Sequence, residues 1–116
     1  MEQTNNFRPE PYILGGMTKT IIVPANSTIS AGVDFNETLF VCYNSSYTTI
    51  RRKLIFCSNR NDVYAIDDAM LTSDSLTVGN ESGDTQLSLF YSTTDNEFKL
   101  KNTTSSAKNF RYRILI

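Results

Sequence analysis

The sequence predicts an all-β protein: an antiparallel β-sandwich, jelly-roll or immunoglobulin-like, of about eight strands, with an extended N-terminal arm. Three observations lead there. Short apolar runs recur roughly every 8–12 residues, each bounded by polar turn residues, which is the spacing of sandwich and barrel strands. Several runs alternate with a period of two, as strands with one buried face do. The polar residues are dominated by 14 Thr, 12 Ser and 11 Asn, which compete with helical hydrogen bonding and favour turns and strand surfaces.

Residues 1–16 stand apart from the rest. Pro9 and Pro11 flank Glu10, and Gly15-Gly16 closes the segment; X-Pro steps favour extended backbone. Phe7, Tyr12, Ile13 and Leu14 are its apolar residues. The segment reads either as a leader outside the fold or as an assembly arm, built on Phe7, Pro9, Pro11, Tyr12, Ile13 and Leu14, that docks on a neighbouring subunit. The remainder, 17–116, is one sandwich domain, large enough to bury a core without staples.

The strands follow in order. Thr18–Val23 is the first, and Pro24-Ala25-Asn26-Ser27 turns the chain. Thr28–Phe35 places Ile29, Ala31, Val33 and Phe35 on one face and Ser30, Gly32 and Asp34 on the other. Leu39–Tyr43 is nearly continuous apolar sequence, expected of a central strand covered on both faces. Arg51–Ser58 sets Leu54 and Phe56 opposite Ile55 and Cys57; Asn59-Arg60-Asn61-Asp62 turns, and Val63–Ile66 is short. Asp67–Ser73, opening on two acids, is the one place for a helical turn. Leu76–Val78, Leu87–Tyr91 and Phe98–Lys101 follow, separated by Gly- and Thr-rich turns. Phe110–Ile116 is expected to run as a strand to the last residue, with Phe110, Tyr112, Ile114 and Ile116 inward and Arg111 and Arg113 outward.

Composition excludes several functions. The formal net charge is −1, which gives no large field to attract nucleic acid or an anionic membrane. No apolar stretch reaches the roughly 18 residues of a membrane helix. The first residues lack the basic and apolar regions of a signal peptide, so use without Sec export is expected. There is no His, which removes the commonest general base and metal ligand. A non-enzymatic protein without cofactor or metal is expected.

Other constellations weigh less. Cys42 and Cys57 sit in apolar strands and read as reduced, buried thiols. Asp62, Asp67 and Asp68 fit no EF-hand spacing and read as turn acids. Arg51, Arg52, Lys53, Arg111 and Arg113 with nearby tyrosines suggest a basic patch, but outward strand charges equally serve solubility. Asn-X-Ser/Thr sequons begin at Asn26, Asn36, Asn44, Asn80 and Asn102, and the abundance of Ser and Thr accounts for them. Tyr43, Tyr47, Tyr64, Tyr91 and Tyr112 are the aromatic faces on which a sugar ring could pack, so a carbohydrate-binding receptor-recognition module is the alternative reading.

Two stretches carry a resemblance. Thr18–Phe35 (TKTIIVPANSTISAGVDF) is similar to the opening hairpin of many bacteriophage fibre-tip and decoration domains. Asn102–Ile116 (NTTSSAKNFRYRILI), a Thr/Ser loop and a closing core strand, is similar to their ends. The chain thus resembles the small β-sandwich virion proteins of tailed phages in texture and layout. The resemblance implies a structural module in the virion that decorates a capsid or forms part of a head or tail fibre. Its implied partners are itself, as a homo-oligomer with a trimer favoured, other virion proteins and a host-surface glycan. It implies no functional residue, because no functional motif is shared.

Overall fold

The computed structural model describes residues 17–46, 52–60, 62–65, 75–81 and 85–116, with 62–65 given by backbone pairing alone. Nine strands lie among the described residues: β1 (Lys19–Val23), β2 (Ser27–Ser30), β3 (Thr38–Asn44), β4 (Lys53–Asn59), β5 (Asp62–Ala65), β6 (Leu76–Val78), β7 (Leu87–Ser92), β8 (Glu97–Asn102) and β9 (Lys108–Ile114). They form a five-stranded sheet, β1-β9-β3-β4-β5, and a four-stranded sheet, β2-β8-β7-β6. The first strand pairs with the last and the second with the second-to-last, so the two ends of the sandwich sequence are wound together as in a jelly roll. All pairings are antiparallel except β6 with β7, which is parallel, an exception to the antiparallel layout that the sequence predicts. A parallel neighbour normally needs a long crossover, but β6 is only 3 residues long and the short link 79–86 suffices.

The expected alternation builds the core. Phe40 and Cys42 from β3, Ile55 and Cys57 from β4, and Phe110 and Tyr112 from β9 face Leu87 and Leu89 of β7 and Phe98 and Leu100 of β8 in one buried cluster. Phe35 joins the two layers. It lies on the crossover from β2 to β3, is fully buried, and its ring meets Phe40 at 4.4 Å, Tyr112 at 5.3 Å and Phe98 at 5.5 Å. The last two contacts are edge-on, the arrangement aromatic quadrupoles favour. Because β2 ends at Ser30, the Ile29-Ala31-Val33-Phe35 alternation continues past the strand, around Gly32 at φ 72. Gly tolerates that left-handed geometry without strain.

Two buried asparagines close one end of the sandwich. Asn102, at the end of β8, donates to the carbonyls of Val23 (3.0 Å), Pro24 (3.2 Å) and Ser106 (2.9 Å), while its Oδ1 accepts from the Thr104 amide at 2.9 Å. Asn44, at the end of β3, reaches the other way: it donates to the Ser75 carbonyl (3.1 Å) and Gln86 Oε1 (3.2 Å) and accepts from the Ser46 amide at 3.0 Å. Each carries 1% exposure. An amide has both donors and an acceptor, so one side chain caps its own turn and bonds to the opposite layer. Sequons at these two positions are therefore architectural, and the folded chain hides both amides.

Three expectations on strand geometry need correction. The closing strand ends at Ile114, and the Leu115 and Ile116 amides both bond to the Leu39 carbonyl, at 2.8 and 3.3 Å. Two residues facing one is a β-bulge, which breaks the alternation, and Ile116 is 72% exposed rather than inward. Lys53 is turned into the sandwich with 1% exposure, and burial lowers its pKa. Central β3 is not covered evenly: Phe40 and Cys42 are buried, whereas Leu39 and Val41 on the outer side are half-buried. The expected helical turn, Asp67–Ser73, lies outside the described residues.

Cys42 and Cys57 are both buried and neither is in a disulfide. Burial pushes the Cys42 thiol up to about 12, partly opposed by the nearby Lys53 charge. A thiol raised in the folded state keeps its proton where the unfolded thiol, near pH 9, has lost it, so its contribution to stability declines from about pH 9 to 12. Two outcomes are expected. At pH 8 both thiols resist a disulfide-exchange reagent in the folded protein and react fully in guanidinium, as thiolate formation requires exposure. Phe35→Ala lowers the unfolding free energy by about 3–5 kcal/mol, read as a shift of the denaturation midpoint.

Candidate functional site

Among the described residues, the end of the sandwich opposite the asparagines is open. The β2–β3 crossover, the turn after β4 and the β7–β8 hairpin meet there around a half-open cleft of about 210 Å³. Strand registers dictate the meeting: Tyr91 pairs with Phe98 and Ser92 with Glu97 at the hairpin tip, while Ser30, at the far end of β2, pairs with Lys99. Tyr91 faces the core side of its sheet, and its ring meets Phe98 edge-on at 5.2 Å. With no further strand layer at this end among the described residues, the ring is half-buried instead of enclosed. Val33 completes the apolar wall.

Polar groups surround that wall. Arg60 Nη2 lies 3.3 Å from Asp34 Oδ2, with the guanidinium carbon 5.6 Å from the Tyr91 ring centre. Asp34 Oδ1 accepts the Asn36 amide at 3.0 Å, a local turn that fixes the carboxylate. Ser30 accepts the Gly32 amide at 3.1 Å and donates to Glu97 Oε1 at 2.6 Å. Asn96 sits at φ 55, a left-handed position that Asn tolerates better than most residues. Beside it, Lys99 pairs with Asp95 along the hairpin; hydrogen bonding to Lys99 holds the Asp95 carboxyl below its ordinary range. Among the described residues, Glu97 Oε2, the Asn96 amide and the Tyr91 hydroxyl have no hydrogen-bond partner. The cleft thus combines an apolar wall with unspent donors and acceptors.

A second surface is the outer face of the five-stranded sheet. Register places Tyr43 beside Arg111, Val41 between Arg113 and Leu54, and Leu39 beside Phe56. The Arg52 and Arg111 guanidinium carbons lie 4.6 and 5.9 Å from the Tyr43 ring centre. The two arginines leave Tyr43 only 8% exposed, and Arg111 Nε is buried with no hydrogen-bond partner among the described residues. Phe56 is 38% exposed.

The tyrosines expected to line one glycan groove are dispersed. Tyr112 is buried in the core at 6% exposure, Tyr43 lies under arginines on the outer face, and Tyr91 stands in the cleft. Tyr47 lies outside the described residues, and Tyr64 is placed by backbone pairing with Phe56 alone. The arm residues Phe7, Pro9, Pro11, Tyr12, Ile13 and Leu14 lie outside the described residues, as do Arg51, Asp67 and Asp68. Asp62 is placed only by its pairing with Asn59. Of the basic patch, Arg52, Arg111 and Arg113 share the outer face, whereas Lys53 points inward.

Sequence reasoning passed over Asp34, Arg60, Asn96 and Glu97. Each reads singly as a turn or strand-end residue, and their convergence follows only from the registers. No group of three His, Cys, Asp or Glu side chains able to hold a metal occurs among the described residues. No protein-family model, curated protein or solved structure matches the chain.

Proposed function

We propose that the chain is a non-enzymatic structural module of a virion, a capsid decoration or a head or tail fibre component, that assembles through its N-terminal arm. The observation that carries this reading is the outer face of the five-stranded sheet. It combines partly exposed apolar side chains with arginine and tyrosine, the composition enriched at protein interfaces. Its groove is lined by Val41, Tyr43, Arg52, Arg113 and Leu115, and also by Thr18. Thr18 lies two residues beyond the arm in sequence.

The arm's sequence complements the groove. Phe7, Tyr12, Ile13 and Leu14 match its apolar part, and Glu10 matches its arginines. Sixteen extended residues span about 50 Å, enough to reach a second copy. In this reading residues 7–14 of one copy lie on the outer face of the next, and a closed ring of three copies satisfies every face. The arginines serve the protein contact, not nucleic acid.

Light scattering on the eluting full chain is expected to give a homo-oligomer, with a trimer favoured, and deletion of residues 1–14 to give a folded monomer whose melting temperature no longer depends on protein concentration. Arg113→Glu is expected to weaken assembly in the same way. A monomeric full chain, or an oligomer indifferent to both changes, would contradict the proposal.

A further inference from the structure

We infer that the open-end cleft is a binding site for one pyranose ring of a neutral saccharide. A pyranose offers an apolar C–H face and a rim of hydroxyls that both donate and accept. The cleft offers the complement. Val33, Tyr91 and Phe98 form an apolar wall, while Glu97 Oε2 accepts, Asn96 and the Tyr91 hydroxyl donate and accept, and Arg60 donates beyond its single bond to Asp34. Ligand sites generally take this form, a mostly apolar concavity with a few convergent polar groups.

Size and charge narrow the ligand. At about 210 Å³ the cleft is smaller than the roughly 300–1,000 Å³ pockets that enclose drug-sized ligands, so it holds one terminal ring and not a chain. The charged lining is two carboxylates, Asp34 and Glu97, against one guanidinium, Arg60. That balance repels a sugar carboxylate, so acidic sugars such as sialic acid are excluded and neutral hexoses admitted. The groups are also held in place before binding. Asp34 is fixed by Asn36, Glu97 by Ser30 and the hairpin by the Asp95–Lys99 pair, which reduces the ordering that binding must impose.

This inference is independent of assembly through the arm, and a chain lacking residues 1–14 should bind equally well. The test is an amide-shift NMR titration of the full chain with the methyl glycosides of glucose, galactose and mannose, and with that of N-acetylneuraminic acid. Saturable shifts confined to residues 30–34, 60 and 91–98 are expected with at least one neutral glycoside, and none with the acidic one. Tyr91→Phe combined with Glu97→Gln keeps the ring and the side-chain shape. It should weaken binding at least tenfold without moving the melting temperature. Absence of shifts in these segments with all three neutral glycosides, equal or tighter binding of the acidic sugar, or unchanged affinity in the double variant would each overturn it.

Discussion

The hydrogen-bond web of Asn44 and Asn102 is the constraint on which the rest of the sandwich depends. Hydrophobic burial brings two sheets together but is non-directional and tolerates sliding. The two amides do not. Asn102 reaches from the four-stranded sheet to the end of β1, and Asn44 from the five-stranded sheet to the segment before β6 and β7. A shift of one layer against the other would leave buried donors unpaired, at about 1–3 kcal/mol each. The amides therefore fix how the sheets align, and the aromatic cluster around Phe35 fills the space that this alignment leaves.

Fastening one end has consequences for the other. The strands are short, so a fixed register at the asparagine end sets where each strand stops at the open end. The two ends of β7 and β8 make this concrete: Leu87 pairs with Asn102 at one and Ser92 with Glu97 at the other. Side chains at the open end meet the edge of the core without being covered by it. Tyr91 shows the result, packed against Phe98 on one side and open to the cleft on the other. The outer face of the five-stranded sheet is a separate resource, built from the alternate residues that face away from the core.

Much of the fold was legible because strand side chains alternate. Phe110 and Tyr112 could be placed on one face by period alone, as could Ile55 and Cys57, and Ala31 and Phe35 beyond the end of β2; the unbroken apolar run of β3 gave no such side, and Phe40 and Cys42 turn inward only through their pairing. Alternation cannot reveal a bulge, so Ile116 was misplaced, and it assigns a side and not a polarity, so the inward Lys53 was missed. Nor does it choose partners: the parallel pairing of β6 depends on tertiary contacts. The cleft was least legible. Asp34, Arg60 and Glu97 are distant in sequence, and only the registers bring them together. The two architectural asparagines were visible as sequons, but an Asn-X-Ser/Thr pattern does not distinguish a surface acceptor from an amide that caps its own strand.

The most direct test of this account is the stability of Asn102→Asp by chemical denaturation at neutral pH. The substitution preserves shape but removes both donors and turns a carboxylate toward three carbonyl oxygens. A loss of about 3 kcal/mol or more is expected, seen as a lower midpoint with an unchanged slope. A midpoint within about 0.5 kcal/mol of the parent, the range of an ordinary surface substitution, would contradict the claim that these buried amides hold the sheets in place.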